Sequence, residues 1–114
     1  MNIEVFYLDG CPNHQPTVAR VKHVLEEMRL TANITQRPVA EADSVRSIRF
    51  LGSPTVHVDG VDVEPSARTS TQFGFGCRTY LDGQGREGVP PAELIREALL
   101  ESGSRERDGQ MHRL

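Results

Sequence analysis

The sequence predicts an α/β fold with a mixed central sheet and helices on both faces, and three observations carry that expectation. The chain opens with an apolar run, Ile3 to Leu8, then an amphipathic stripe, then a second extended run. Such a β-α-β start implies two parallel strands joined by a right-handed crossover. Next, Asp59-Gly60 separates two β-branched runs, Thr55 to Val58 and Val61 to Val63. A two-residue Asp-Gly connection is the strongest short-range hairpin signal, so this pair is antiparallel. Finally, Pro90-Pro91 precedes Leu94, Ile95, Ala98 and Leu99, apolar at helical spacing. The predicted order is β-α-β-α-β-β-α.

Each element has its own warrant. Ile3 to Leu8 lacks clean alternation, as expected of a central strand covered on both faces, and Asp9-Gly10 ends it. Pro12 occupies a position where a first helical residue tolerates a missing N–H, and Val18, Val21, Leu25 and Met28 follow as one buried stripe. Ala32 and Ile34 alternate with Asn33 and Thr35 before Pro38, which cannot donate to a ladder. A short helix then places Val45, Ile48 and Leu51 inward. The last helix is expected to close at Gly103. Residues 1–102 thus read as one domain. Residues 103–114 carry no apolar period and read as a frayed or disordered tail.

A chain of 114 residues, 37% hydrophobic and 25% charged, has the balance of a single globular domain rather than of a disordered segment. The formal net charge of -3 gives no basic footprint, so neither nucleic acid nor an anionic membrane surface is an expected partner. No apolar run approaches the roughly 18 residues that span a bilayer, and no basic segment leads into an apolar signal core, so a cytoplasmic location is expected. Two cysteines, Cys11 and Cys77, are too few for the disulfide framework of a small secreted domain. In a reducing compartment such a pair is more often redox-active or metal-binding.

Cys11 directly follows the first strand and directly precedes Pro12, so its sulfur is expected at a helix N-terminus, where unpaired N–H groups and the dipole favour a thiolate. The thiolate is the form that attacks disulfides and soft electrophiles. The plainer reading is that Cys11 only caps the helix. His14 stands three residues on, where a dithiol enzyme would carry its second cysteine, either hydrogen-bonding the sulfur or simply solvated. Cys77 lies between Gly76 and Arg78, ahead of an expected strand from Arg78 to Leu81. It reads either as a resolving thiol carried on a glycine-relaxed loop or as a small buried hydrophobe. A resolving role requires the two Cα atoms to come within about 7 Å. Pro54, in Gly52-Ser53-Pro54-Thr55, is either an ordinary strand-start residue or a cis proline. Arg78 is a candidate anion holder or a solvated charge, Asp9 a candidate proton acceptor or a turn former, and His57 carries no assigned role. Cys11, Cys77 and His14 are donors suited to zinc, copper(I) or mercury, but no spacing enforces a closed metal site, and no cofactor is expected.

Leu8-Asp9-Gly10-Cys11-Pro12, Gly52-Ser53-Pro54-Thr55-Val56, Phe75-Gly76-Cys77-Arg78 and Gly88-Val89-Pro90-Pro91 together resemble the thioredoxin-like superfamily from Met1 to about Ser102. More narrowly, they resemble a small bacterial group in which selenocysteine occurs in the active-site segment and which is sometimes labelled alkylmercury lyase-like. The resemblance implies a thioredoxin-like fold, a cis Pro54 facing Cys11, and the backbone beside Ser53 pairing with a bound thiol substrate, so that Ser53, Pro54 and Thr55 form the substrate-binding segment. It implies a thiol-disulfide oxidoreductase acting on a thiol or disulfide, protein or small molecule. Because His14 replaces the second cysteine of the dithiol pattern, either one-thiol chemistry or a Cys11/Cys77 couple is then required. The competing expectations are a protein that captures a soft metal or an organomercurial, as in mercury resistance, without redox turnover, and a redox-silent module that uses the fold for protein contacts.

Overall fold

The computed structural model of the protein describes the backbone of residues 1–40 and 42–111 and the side chains of all these but 42–44 and 105–111. Its main sheet has four strands in the order β2-β1-β3-β4. The central strand β1 (Asn2–Tyr7) pairs in parallel with β2 (Asn33–Pro38) on one side, Asn2 opposite Asn33 and Tyr7 opposite Pro38. On its other side it pairs antiparallel with β3 (Thr55–Val58), Ile3 opposite Val58. The hairpin partner β4 (Val61–Asp62) closes the far edge. Asp59 and Gly60 take φ of 50° and 84°, the two left-handed positions that a tight hairpin turn needs and that an Asp-Gly pair supplies.

Alternation along β1 and β3 sends side chains to two different cores. Ile3, Val5, Val56 and Val58 face one way and bury against Val18, Val21, Val24 and Leu25 of α1 (His14–Met28) and Ile95, Ala98 and Leu99 of α3 (Ala92–Met111). Phe6 faces the other way and packs with Val39, Phe50 and Val45 of the short helix α2 (Ala42–Ser47). The sheet therefore carries apolar layers on both faces, as the continuous apolar run of β1 predicts. Arg29 in the left-handed conformation ends α1.

Three features differ from expectation. Helix α1 starts at His14 with Asn13 as its N-cap, so Pro12 lies in the preceding turn rather than in the first helical position. The expected strand from Arg78 to Leu81 is shorter: β5 (Tyr80–Leu81) pairs only with β6 (Arg86–Glu87), in a small hairpin separate from the main sheet. Helix α3 passes through Gly103 and continues to Met111, where the sequence predicts a tail; residues 112–114 of that tail lie outside the described residues. A single interior glycine costs a helix only about 1 kcal/mol relative to alanine. The Ser102 hydroxyl, hydrogen-bonded to the Asp59 carboxylate, ties this helix to the β3–β4 turn just before that glycine.

Candidate functional site

Two successive turns carry Cys11 from the end of β1 to the start of α1. The Cys11 N–H donates to the Leu8 carbonyl (3.0 Å), with Gly10 at φ 81°, and the His14 N–H then donates to the Cys11 carbonyl (3.3 Å). Gly10 answers the left-handed demand of the third turn position. Cys11 is half-buried and its thiol is free. It stands two residues before the N-cap, so the helix-terminus field acts on it from farther away than the sequence implies.

His14 turns toward the sheet. Its ring stacks on Tyr7 at 3.5 Å between centroids and 7° between planes, and its Nε2 hydrogen-bonds Gln36 Oε1 at 2.7 Å. That nitrogen is thus held by Gln36, whereas the sequence offers His14 either the Cys11 sulfur or solvent. The stack on Tyr7 fixes the ring over β1.

The Ser53-Pro54 peptide is cis. Ser53 is 2% exposed and joins three segments. Its Oγ accepts from the Leu8 N–H (2.9 Å), at the base of the Cys11 turn. Its own N–H donates to the Gly76 carbonyl (2.7 Å), and its carbonyl accepts from the Arg78 N–H (3.0 Å). These two main-chain bonds bracket Cys77 in a parallel bridge opposite Ser53. The backbone edge that the resemblance assigns to a substrate is therefore occupied by the protein's own Gly76–Arg78 segment. Gly52 permits this approach: it adopts φ 119°, and a Cβ there would lie 3.0 Å from Arg78 Cβ and 3.1 Å from the Gly76 carbonyl. Only glycine meets both conditions without strain. Thr55 and Pro54 are likewise buried and engaged. The Thr55 hydroxyl donates to the Gly52 carbonyl (2.6 Å), and the Pro54 carbonyl accepts from the Tyr80 hydroxyl (2.6 Å).

Cys77 itself is free and exposed, which removes the reading of it as a buried small hydrophobe. It lines an open groove of about 340 Å³ together with Glu64, Arg78 and Arg86, and Cys11 is not among the lining residues.

Sequence reasoning missed the anchor beneath this segment. Arg78 is buried and donates to both Asp62 oxygens (2.8 and 2.9 Å), to Glu64 (3.2 Å) and to the Thr55 hydroxyl (3.1 Å). Its guanidinium also lies 4.5 Å from the Tyr80 ring centroid. Burial works against its charge, but the hydrogen bonds and charges of Asp62 and Glu64, with Tyr80, outweigh burial and hold Arg78 above its ordinary value. Burial pushes the Tyr80 hydroxyl up, opposed by Arg78. A signal for this cluster exists in the sequence. With period two, Thr55 and His57 share one face of β3, and the hairpin register sets Asp62 opposite His57, so three polar residues converge where an apolar face is the norm.

Among the described residues no group of three or more His, Cys, Asp or Glu side chains is arranged to hold a metal ion. No helix among them is long and apolar enough to cross a membrane. The chain matches no family model, no curated protein and no solved structure.

Proposed function

We propose that this chain is a thioredoxin-like thiol-disulfide exchange protein in which Cys11 and Cys77 form the redox couple. The observation that carries the reading is Ser53, whose side chain holds the base of the Cys11 turn while its main chain brackets Cys77, so both cysteine segments converge on one residue at one end of the sheet. The strand order β2-β1-β3-β4, with a parallel first pair and an antiparallel hairpin, and the cis Ser53-Pro54 bond both agree with the resemblance.

In the proposed reaction, Cys11 as thiolate attacks a substrate disulfide. A Cys11–substrate disulfide forms, and the substrate's own sulfur–sulfur bond breaks, releasing one substrate thiolate. Cys77 as thiolate then attacks the Cys11 sulfur, forms the Cys11–Cys77 disulfide and releases the second thiolate. The substrate gains two electrons and the protein loses two. A dithiol or a low-molecular-weight thiol restores the reduced protein. The Gly76–Arg78 segment supplies the resolving thiol from the position where the resemblance places a substrate strand, and an extended protein substrate would have to displace it. Small disulfides reaching the half-buried Cys11 are the better match.

Reaction with bis(hydroxyethyl) disulfide tests this by intact mass. Wild-type protein is expected to end with an internal disulfide and no adduct, whereas Cys77→Ser stops with one hydroxyethyl-thiol adduct on Cys11. A wild-type product that keeps its adduct, or a Cys77→Ser product without one, would contradict the couple. If both wild-type thiols persist and the protein instead retains one mercuric ion per chain, soft-metal capture is the function.

A further inference from the structure

The face of the sheet that bears Glu4, Phe6 and His57 opens into a cavity of about 160 Å³, distinct from both cysteine segments. Its polar walls are His57, Arg49, Arg68 and Asp62; Val61 and Ala67 supply apolar surface. His57 is 6% exposed, yet neither ring nitrogen has a hydrogen-bond partner among the described residues. The Asp62 Oδ2 lies 4.0 Å from its Nε2, beyond hydrogen-bond reach. The described residues contain no fully enclosed side-chain nitrogen or oxygen without a partner, so the His57 nitrogens retain access to open space. The space His57 lines is this cavity and an adjoining one of about 290 Å³.

The one carboxylate among the described residues lining this cavity, Asp62, already has a cationic partner. Asp62 holds Arg78 by a two-point contact and shares it with Glu64 at 3.2 Å, and Arg68 pairs with Glu101 at 2.9 Å. Glu4 and Arg37, on the adjoining cavity, pair with each other at 2.9 Å. Arg49 donates only to carbonyl oxygens, of Arg68 (2.9 Å) and Ser70 (3.2 Å), and lies 5.3 Å from the Phe73 ring centroid. It has no carboxylate partner among the described residues. Burial holds His57 below its ordinary value, with Asp62 and Glu4 opposing, so the ring is neutral near pH 7 and keeps one N–H to donate. Among the described residues, an exposed guanidinium without a carboxylate partner and a buried imidazole without a hydrogen-bond partner thus meet on one small, partly apolar space.

We infer that this cavity binds a small organic carboxylate, its oxygens accepting from Arg49 and His57 and its short hydrocarbon part lying against Val61 and Ala67. A charge-assisted bond from Arg49 supplies the affinity, the His57 N–H the orientation, and the cavity volume limits the ligand to a few carbons. The inference does not depend on the redox reading, because neither cysteine borders the cavity.

The test is a titration of isotope-labelled protein with propionate and with butyrate at constant ionic strength, following the His57 ring by NMR, with sodium chloride and sodium sulfate in parallel. The expected result is a saturable His57 shift with at least one carboxylate and with neither control salt, weakened about tenfold or more in Arg49→Gln and unchanged in Arg86→Gln, an arginine of the separate hairpin. Amide spectra establish that the variants are folded. If Arg49→Gln is not folded, the carboxylate-versus-sulfate comparison on the wild type decides alone. No saturable shift with either carboxylate, equal binding of sulfate, or unaltered affinity in folded Arg49→Gln overturns the inference.

Discussion

The layer between the sheet and helices α1 and α3 is held together differently from the layer over the Ser53-Pro54 turn. The first is apolar throughout, with Ile3, Val5, Val21, Val24, Val56, Ile95 and Leu99 almost wholly buried, and its cohesion comes from area removed from water. The second joins the β3–β4 hairpin and the Ser53-Pro54 turn to the Gly76–Arg78 segment through a few directional bonds centred on Arg78 and Ser53. Loss of one methylene from the apolar layer is shared among many neighbours. Loss of one partner from the polar layer strands a buried charge or carbonyl. The segment proposed to carry the resolving thiol, Gly76–Arg78, rests on the second layer, so its placement depends on very few atoms.

That contrast is sharpest at Arg78. Replacing it with methionine leaves Asp62 buried without its cation, and removing one member of a buried pair costs about 3–5 kcal/mol. Chemical denaturation of Arg78→Met should show that loss, and the Cys77 thiol should alkylate faster under native conditions as its segment loosens. In the apolar layer, Ile95→Ala should cost about 2–4 kcal/mol through lost burial and the cavity left behind. Cys77 alkylation should stay at the wild-type rate in conditions where Ile95→Ala is folded. Similar acceleration in both variants would erase the distinction between the layers.

Tyr80→Phe probes the polar layer more gently. It removes the hydroxyl that donates to the Pro54 carbonyl and leaves that acceptor buried, a loss of about 1–2 kcal/mol measurable as a lower denaturation midpoint. The smallest effect belongs to His57. Burial lowers its pKa, Asp62 and Glu4 oppose that, and Arg78 and Arg49 reinforce it. The unfolded chain therefore binds a proton more readily than the folded one. The His57 contribution to stability is complete above the unfolded value of about 6.5 and is lost as pH falls from there toward the folded value. Urea midpoints in a carboxylate-free buffer should decline across this window in the wild type and decline less in His57→Phe.

Much of the framework was legible because it rests on periodicity and turn chemistry. The stripe Val18, Val21 and Leu25, the apolar run of β1 and the Asp59-Gly60 turn each have a local cause, and the structure places all three where the pattern put them. The polar layer was not legible in the same way. Arg78 is buried only because Asp62 and Glu64, 16 and 14 residues away, meet it in space, and composition favours the solvated reading of any single arginine. His14 took Tyr7 and Gln36 as partners because β2 brings Gln36 beside the start of α1, a contact no local spacing announces. The occupation of Ser53 by its own chain depended on Gly52, whose positive φ and close neighbours acquire meaning only when Gly76 and Arg78 are seen against it.

The most direct test of the central claim is a redox titration of the protein across graded ratios of reduced to oxidised dithiothreitol, each point quenched by alkylation and resolved by mass at Cys11 and Cys77 separately. The expected result is a single two-electron transition in which both thiols disappear together and reappear as one cross-linked Cys11–Cys77 peptide. Independent titration of the two cysteines, or oxidation only into dimers linked between chains, would contradict the account.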